Sequence, residues 1–144
     1  MIEPGGEHLA PPPGDGPLQL GYIDAAAIPR RLTLKDQSIA DAALVGHSPA
    51  YRRLDTGVLE ELLLKRALGL SNEDISHFNG LFYARDAAEA LAMVRSGEYD
   101  AAFLMRPTPV QEVRDVAAAG ENMPPKSTYF YPKLLTGLLF SPLV

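Results

Sequence analysis

The stretch Ala101-Ala-Phe-Leu-Met105 is apolar at every position, and it decides the fold that the sequence predicts. A strand that is apolar on both faces is typical of the centre of a sheet with helices on both sides. Before this stretch, Asp86 and Glu89 have the spacing of a capping box, and Gly97 follows as a helix end. The sequence therefore predicts a helix that leads into a central strand.

The residues on both sides continue this alternation of strands and helices. Residues 81–84 have the composition of a strand before the capped helix. After the central strand, Thr108 and Pro109 are a cap and a first-turn proline, which predict a second helix. Further strands are expected at 127–131 and near 138–140. The C-terminal half is thus predicted as β-α-β-α-β-β, a mixed sheet with three parallel strands and a final hairpin.

The N-terminal half carries a predicted hairpin and a buried helix. Residues 18–23 and 28–35 are short strand candidates separated by a turn. Residues 36–44 fit a short helix, and Asp55 is expected to cap a longer one. Leucines cover a broad face of the longer helix between positions 59 and 70, which predicts burial on more than one side.

Length and composition predict a single α+β domain over residues 17–144, after a flexible arm rich in proline and glycine over residues 1–16. The net charge of -5 argues against a nucleic-acid partner. No apolar run is long enough to span a bilayer, and the first residues lack a signal-peptide pattern. The absence of cysteine excludes disulfides and thiol chemistry. The chain is therefore expected to be cytoplasmic, with no membrane partner.

Polar side chains are concentrated in one stretch, Met123-Pro-Pro-Lys-Ser-Thr-Tyr-Phe-Tyr-Pro-Lys-Leu-Leu-Thr-Gly137. In the predicted strand at 127–131, alternation places a hydroxyl-bearing face between Lys126 and Lys133. Hydroxyls flanked by two ammonium groups can hold a phosphate or a carboxylate. The same pattern also fits a half-buried hairpin strand with solvated lysines.

The predicted topology is a second reason to expect a ligand at this place. Ligands of open α/β sheets tend to bind beyond the carboxyl ends of the parallel strands, where Arg106 and Thr108 are expected. Lys126 enters from the opposite edge, so it reaches this place only if residues 123–126 fold back, whereas Lys133 needs no such fold. Lys133 is therefore expected to be at least as good a ligand contact as Lys126. The candidate ligand-binding residues are Arg106, Thr108, Lys126, Ser127, Thr128, Tyr129, Tyr131 and Lys133.

The sequence does not support three familiar kinds of site. Lys126 and Ser127 match part of a phosphate-loop pattern, but Pro125 stands where glycine is required, and a strand follows rather than a helix. His47 and His77 are isolated, so no metal site is expected. No serine lies in a nucleophile elbow, so no catalytic residue is identified.

Several stretches carry a resemblance to a known family. Residues 102–110 and 116–137, with Pro124-Pro-Lys-Ser-Thr-Tyr-Phe-Tyr-Pro-Lys133 in the second, resemble the C-terminal signature of the prokaryotic domain-of-unknown-function family numbered ten-fifteen. Residues 48–55 and the helix after them are similar to that family too, so the resemblance covers the chain after the arm. The family pattern tends to have histidine where this chain has Glu60.

The resemblance implies a partner and a reaction class. Family members are longer, and their preceding part carries an Asp-Gly-His-His-Arg-like motif similar to the ParB and sulfiredoxin-like fold, which includes nucleotide-dependent phosphoryl-transfer enzymes. That motif is absent here. The chain is therefore expected to be a C-terminal region, whose partner is the missing N-terminal part or a separate chain that supplies it. The resemblance implies ATP or ADP as the cofactor of full-length relatives, while no motif of this chain binds one.

Two functions follow from these patterns. In the first, the domain contributes a contact surface for a phosphate or a carboxylate to a small-metabolite phosphoryl-transfer enzyme and is inactive alone. In the second, it is a structural or partner-binding domain that docks on the missing N-terminal part. Polar side-chain ends that converge on a concave pocket favour the first function, and ends that are scattered or satisfied inside the protein favour the second.

Overall fold

The computed structural model describes residues 10–12, 16–26 and 28–128 of the 144 residues in the chain. These residues form an α+β fold around one antiparallel sheet. Its strands are β1 (Gln19–Asp24), β2 (Arg30–Thr33) and β3 (Ala101–Leu104). The strands are ordered β2-β1-β3, so β1 is the central strand of the described sheet.

The other regular elements of the described residues are short helices. The helices are α1 (Gln37–Ala43), α2 (Asp55–Val58), α3 (Asn72–His77), α4 (Ala87–Ser96) and α5 (Val110–Ala118). A 3₁₀ turn, Tyr51–Arg53, precedes α2, which continues directly into a π-helical segment, Leu59–Ala67. Within the described residues, no helix has the length and apolar character needed to cross a membrane.

The hairpin predicted near the N-terminus is confirmed. β1 and β2 pair antiparallel, with Leu20 opposite Leu32. Leu20 and Ile23 are both buried, and their odd spacing places them on opposite faces of β1. β1 is therefore covered on both faces, which is the property that the sequence pattern had assigned to the strand at 101–105.

The predicted strand order is not supported. β3 pairs antiparallel with β1, with Tyr22 opposite Phe103, and it lies at the edge of the described sheet. A continuous apolar run indicates a buried strand, but it does not specify the neighbour, and here β1 occupies the centre. The parallel arrangement expected for the C-terminal half is therefore wrong for β3.

Two other predicted strands are corrected or lie beyond the described part of the chain. Residues 81–84 form no strand, and Phe82 and Tyr83 are exposed there instead of facing a sheet. Residues 127–128 are also outside any strand. The predicted strand positions 129–131 and 138–140 lie outside the described residues.

Helix ends follow the sequence where the capping contacts are local. The Asp36 carboxylate accepts a hydrogen bond from the Ser38 N–H at the start of α1. Asp86 accepts one from the Glu89 N–H at the start of α4. Gly97 ends α4 with a φ of 76°, a conformation that glycine adopts without a steric penalty. The predicted boundaries of α1 and α4 are thus confirmed.

Two predicted caps are wrong, and one helix was not predicted. Asp55 is the first residue of α2 rather than its cap, because its carboxylate is bound to Arg106 instead. Pro109 occupies the cap position of α5, one residue after Thr108. α3 begins with a capping box between Ser71 and Asp74, a short polar signal without an apolar stripe.

The core joins the hairpin to α1 and α2. Ala40, Leu44 and Val58 form its fully buried part. Leu18, Leu34, Tyr51 and Leu62 pack against this cluster from the hairpin, the 3₁₀ turn and the π-helical segment. One side of α2 therefore packs against this core, and its other side can contribute to a site.

Candidate functional site

A cleft of about 380 Å³ lies between α2, the loop after β3, α5 and residues 126–128. Its lining residues are Thr56, Met105, Arg106, Pro107, Thr108, Val110, Val113, Lys126, Ser127 and Thr128. Half of these are predicted ligand-binding residues, namely Arg106, Thr108, Lys126, Ser127 and Thr128. The other three predicted residues, Tyr129, Tyr131 and Lys133, lie outside the described part of the chain.

A tight turn brings Lys126 to the cleft. The Ser127 N–H and hydroxyl both donate to the Pro124 carbonyl oxygen, at 3.2 Å and 2.6 Å. Pro125 has its φ fixed by its ring, and Lys126 follows with a φ of 59° in the left-handed region. A proline followed by a residue with positive φ is typical of a type II turn. This turn places Lys126 in the cleft that Arg106 and Thr108 also line, without the strand at 127–128 from whose edge a fold-back had been expected.

A side chain of the loop after β3 holds this turn in place. The Thr108 hydroxyl donates to the Ser127 carbonyl oxygen at 3.2 Å. Thr108 and Ser127 therefore use their hydroxyls on backbone carbonyls of the turn. Their contribution to the cleft is to position Lys126 and Thr128.

Arg106 is held by a buried ion pair. Its Nε and Nη2 donate to the two carboxylate oxygens of Asp55 at 2.5 Å and 3.0 Å, and both side chains are only 8% exposed. Nη2 also donates to the Gly16 carbonyl oxygen at 3.2 Å. The guanidinium charge is thus compensated within the protein, and Arg106 ties α2 to the loop after β3.

Lys126 differs from Arg106, because the described part of the chain supplies no partner for its charge. Among the described residues, its ammonium makes no ion pair and no hydrogen bond, and the residue is exposed. Val110 and Val113 bring the first turns of α5 to the same cleft. A helix start adds partial positive charge, no side chain caps this one, and the same first turn also carries the Glu112 carboxylate. The cleft therefore favours negative charge near Lys126.

The remaining wall of the cleft is mostly apolar. Met105, Pro107, Val110 and Val113 line it, and Val110 is 60% exposed. Thr56 from α2 also lines the cleft, and its buried hydroxyl has no hydrogen-bond partner among the described residues. The sequence did not indicate Thr56 or Met105, because only the packing of α2 against the loop after β3 brings them together.

A second polar cluster joins the segment before the 3₁₀ turn to the residues after α5. The Glu121 carboxylate accepts hydrogen bonds from the Ser48 hydroxyl at 2.5 Å and the Ser48 N–H at 3.1 Å, and it lies 3.0 Å from His47 Nδ1. The Ser48 hydroxyl hydrogen bond is the main cause that lowers the pKa of Glu121. Because Ser48 donates to Glu121 rather than to a histidine, the cluster is not a Ser–His–acid triad.

Glu60, where the resemblance implies a histidine, is not among the lining residues of the cleft. Its carboxylate is 2.9 Å from Lys65 Nζ, and Glu61 is 3.5 Å from the same atom. Desolvation alone would lower the pKa of Lys65, but the hydrogen bond and charge of Glu60 raise it overall, with help from Glu61. Within the described residues, no group of three acidic, histidine or cysteine side chains could hold a metal ion.

No protein-family model matches this sequence, and comparison with curated proteins and with solved structures finds no match either. The resemblance to the domain-of-unknown-function family therefore stays a prediction.

Proposed function

We propose that the cleft binds a small anion, whose phosphate or carboxylate group contacts Lys126. The observation that supports this most strongly is the state of Lys126. Its ammonium is uncompensated among the described residues, while its backbone has a conformation that lysine rarely adopts. Strained backbone that the surrounding structure holds in place is concentrated at functional sites.

The size and charge of the cleft agree with this function. Its volume of about 380 Å³ lies within the range of small-molecule sites. The Asp55 carboxylate near the cleft is neutralised by Arg106, so it does not repel an anion. The free N–H groups at the start of α5 add partial positive charge, which the Glu112 carboxylate in the same turn partly offsets. Together these features favour one anionic group at the Lys126 end.

The domain is proposed to bind and orient its ligand without catalysing a reaction alone. Among the described lining residues, the only acidic or basic side chains are Arg106 and Lys126. Arg106 is engaged with Asp55, and the Lys126 side chain alone can stabilise a negative charge but cannot supply both a nucleophile and a proton acceptor. The predicted role in a small-metabolite phosphoryl-transfer enzyme therefore requires reacting groups from the partner part that the resemblance implies.

One observation favours the second function, a structural domain that docks on a partner. Arg106, Thr108 and Ser127 direct their polar atoms to other groups of the same chain. Side chains satisfied in this way shape a surface without contacting a ligand. The two functions differ in their demand on Lys126, because only the first requires its ammonium to bind a small anion.

Thermal unfolding of the whole chain tests the proposal against inorganic phosphate, ATP, ADP, serine and phosphoserine. A ligand present at a hundred times its dissociation constant adds about 2.7 kcal/mol to the free energy of unfolding. Lys126→Ala is expected to abolish the shift in melting temperature. Lys126→Gly is the sharper variant, since glycine keeps the positive φ of the turn and removes only the side chain.

The matched control is Lys35→Ala, which removes an exposed lysine that does not line the cleft. Its ligand-induced shift should equal that of the unmodified chain. A shift of unchanged size in Lys126→Gly would rule out the proposed contact. No shift with any of the five compounds would exclude them as ligands of the cleft.

A further inference from the structure

We propose that the ligand of this cleft is a small amphiphilic monoanion, an aliphatic carboxylate whose hydrocarbon part lies on the valine and methionine wall. The inference rests on the proposed anion site and narrows its ligand class. It favours a short branched or linear carboxylic acid over inorganic phosphate and over a nucleoside triphosphate.

Among the described lining residues, the charges match one negative charge. Lys126 supplies one ammonium, and the guanidinium fork of Arg106, the group best suited to bidentate binding of a phosphate, is occupied by Asp55. A phosphomonoester carries nearly two negative charges at neutral pH and presents three acceptor oxygens. The described lining residues offer too few free donors for such a group, whereas a carboxylate needs only one cation and a few hydrogen bonds.

The apolar wall matches a hydrocarbon chain. Val110 is 60% exposed although it lies beside Met105, Pro107 and Val113 in a concave surface. A ligand that covers this surface gains affinity from every methylene group that it buries, by about fourfold each. A purely polar anion of the same charge gains nothing from these four side chains. The apolar wall therefore favours anions with a hydrocarbon part over purely polar anions, which Lys126 alone would bind equally well.

The volume of the cleft accommodates a short hydrocarbon chain. About 380 Å³ lies near the lower end of the range for small-molecule sites. A chain of about four to six carbon atoms fits such a site, and the affinity gain per methylene group is expected to stop once the cleft is filled.

Nuclear magnetic resonance on the whole chain with labelled methionine methyl groups tests the inference, because Met105 is part of the wall. Its signal is assigned with Met105→Leu. The probes are acetate, 4-methylpentanoate, the neutral 4-methylpentanamide and inorganic phosphate. We expect 4-methylpentanoate to shift the Met105 signal saturably, with an affinity at least tenfold above those of acetate and phosphate, and the amide to have no effect.

Two variants separate the inference from the proposed function. Val110→Thr replaces an exposed valine with a more polar side chain of nearly the same shape. It should reduce the affinity ratio of 4-methylpentanoate to acetate by several-fold. Lys126→Gly should abolish binding of every carboxylate. Phosphate and acetate binding as tightly as 4-methylpentanoate, with all three lost in Lys126→Gly, would overturn the amphiphilic ligand and leave the anion site standing. Equal binding of the acid and its amide, or no binding at all, would overturn both.

Discussion

Lys126 and Arg106 are both cations that line the cleft, but they differ in exposure and in whether an acidic side chain binds them. Arg106 is 8% exposed and bound to Asp55, while Lys126 is exposed and uncompensated among the described residues. The sequence predicted both as ligand contacts, Arg106 from its place after a strand and Lys126 from the hydroxyl-bearing residues that follow it. The sequence could not predict which of the two is buried in an ion pair, because the partner of Arg106 stands 51 positions earlier in the chain.

The lowered pKa of Glu121 makes the stability of the folded protein depend on pH. The Ser48 hydroxyl hydrogen bond is the largest cause that lowers the pKa of Glu121, loss of solvent acts in the opposite direction, and the Ser48 N–H and His47 lower the pKa further. A carboxylate whose pKa is lower in the folded state stabilises the protein above its unfolded-state pKa. That stability is lost as the pH falls through the folded-state pKa.

Glu121→Gln is therefore expected to lower the melting temperature at pH 7, and the difference from the unmodified chain should shrink progressively below about pH 5. Melting temperatures measured between pH 3 and pH 8 check this. Glu98→Gln serves as the control, because Glu98 is exposed and should give a small difference at every pH. A difference for Glu121→Gln that stays constant across the range would contradict the assignment.

At the scale of elements, the sequence predicted features that depend on neighbouring residues better than features that depend on residues far apart in the chain. The hairpin and the ends of α1 and α4 depend on residues within a few positions of one another, and the sequence indicated them correctly. The pairing of β3 with β1 depends on residues far apart in the chain, and periodicity carries no information about it. The cap expected at Asp55 failed for the same reason, since a distant arginine binds that carboxylate.

Gly57 in α2 gives a prediction at this scale. A Cβ atom added there would lie 3.0 Å from Cε1 of Tyr51, whose ring stacks on His47 with centroids 4.0 Å apart. Glycine to alanine within a helix ordinarily stabilises a protein by about 1 kcal/mol. We expect Gly57→Ala to destabilise the chain instead, because the stacked Tyr51 ring has little room to move.

Urea unfolding of a double-mutant cycle measures this contact. In a Tyr51→Ala background, where the ring is absent, Gly57→Ala should regain its ordinary stabilising effect of about 1 kcal/mol. The change of sign between the two backgrounds is the expected result. Stabilisation by Gly57→Ala in the unmodified chain would show that α2 and the 3₁₀ turn separate easily.

At the scale of the whole molecule, the Asp55–Arg106 pair connects the helical layer with the sheet. Asp55 begins α2, and Arg106 lies two residues after β3, so the pair fixes two walls of the candidate cleft to each other. Removing one partner of a buried pair leaves the other charge without compensation and costs about 3–5 kcal/mol. Arg106→Met is expected to destabilise the chain by that amount.

The double variant Asp55→Leu with Arg106→Met should cost less than Arg106→Met alone, because no buried charge is left behind. Urea unfolding measures all of these variants. Arg30→Met is the control, since the Arg30–Asp24 pair is much more exposed and its loss should have a far smaller effect. The prediction fails if Arg106→Met costs no more than this control.

The strand order of the sheet also determines at what point during synthesis the cleft can form. β1 meets β2 across a short turn, whereas it meets β3 only after the whole stretch 25–100 has been laid down. A hairpin forms in microseconds, but long-range strand pairing must first close a large loop. Because synthesis runs from the N-terminus, the residues of the hairpin, α1 and α2 are made before Arg106, so Asp55 has no access to that partner at first. The loop after β3 and the turn at Lys126 are made later, so the cleft can form only after residue 128 has been synthesised.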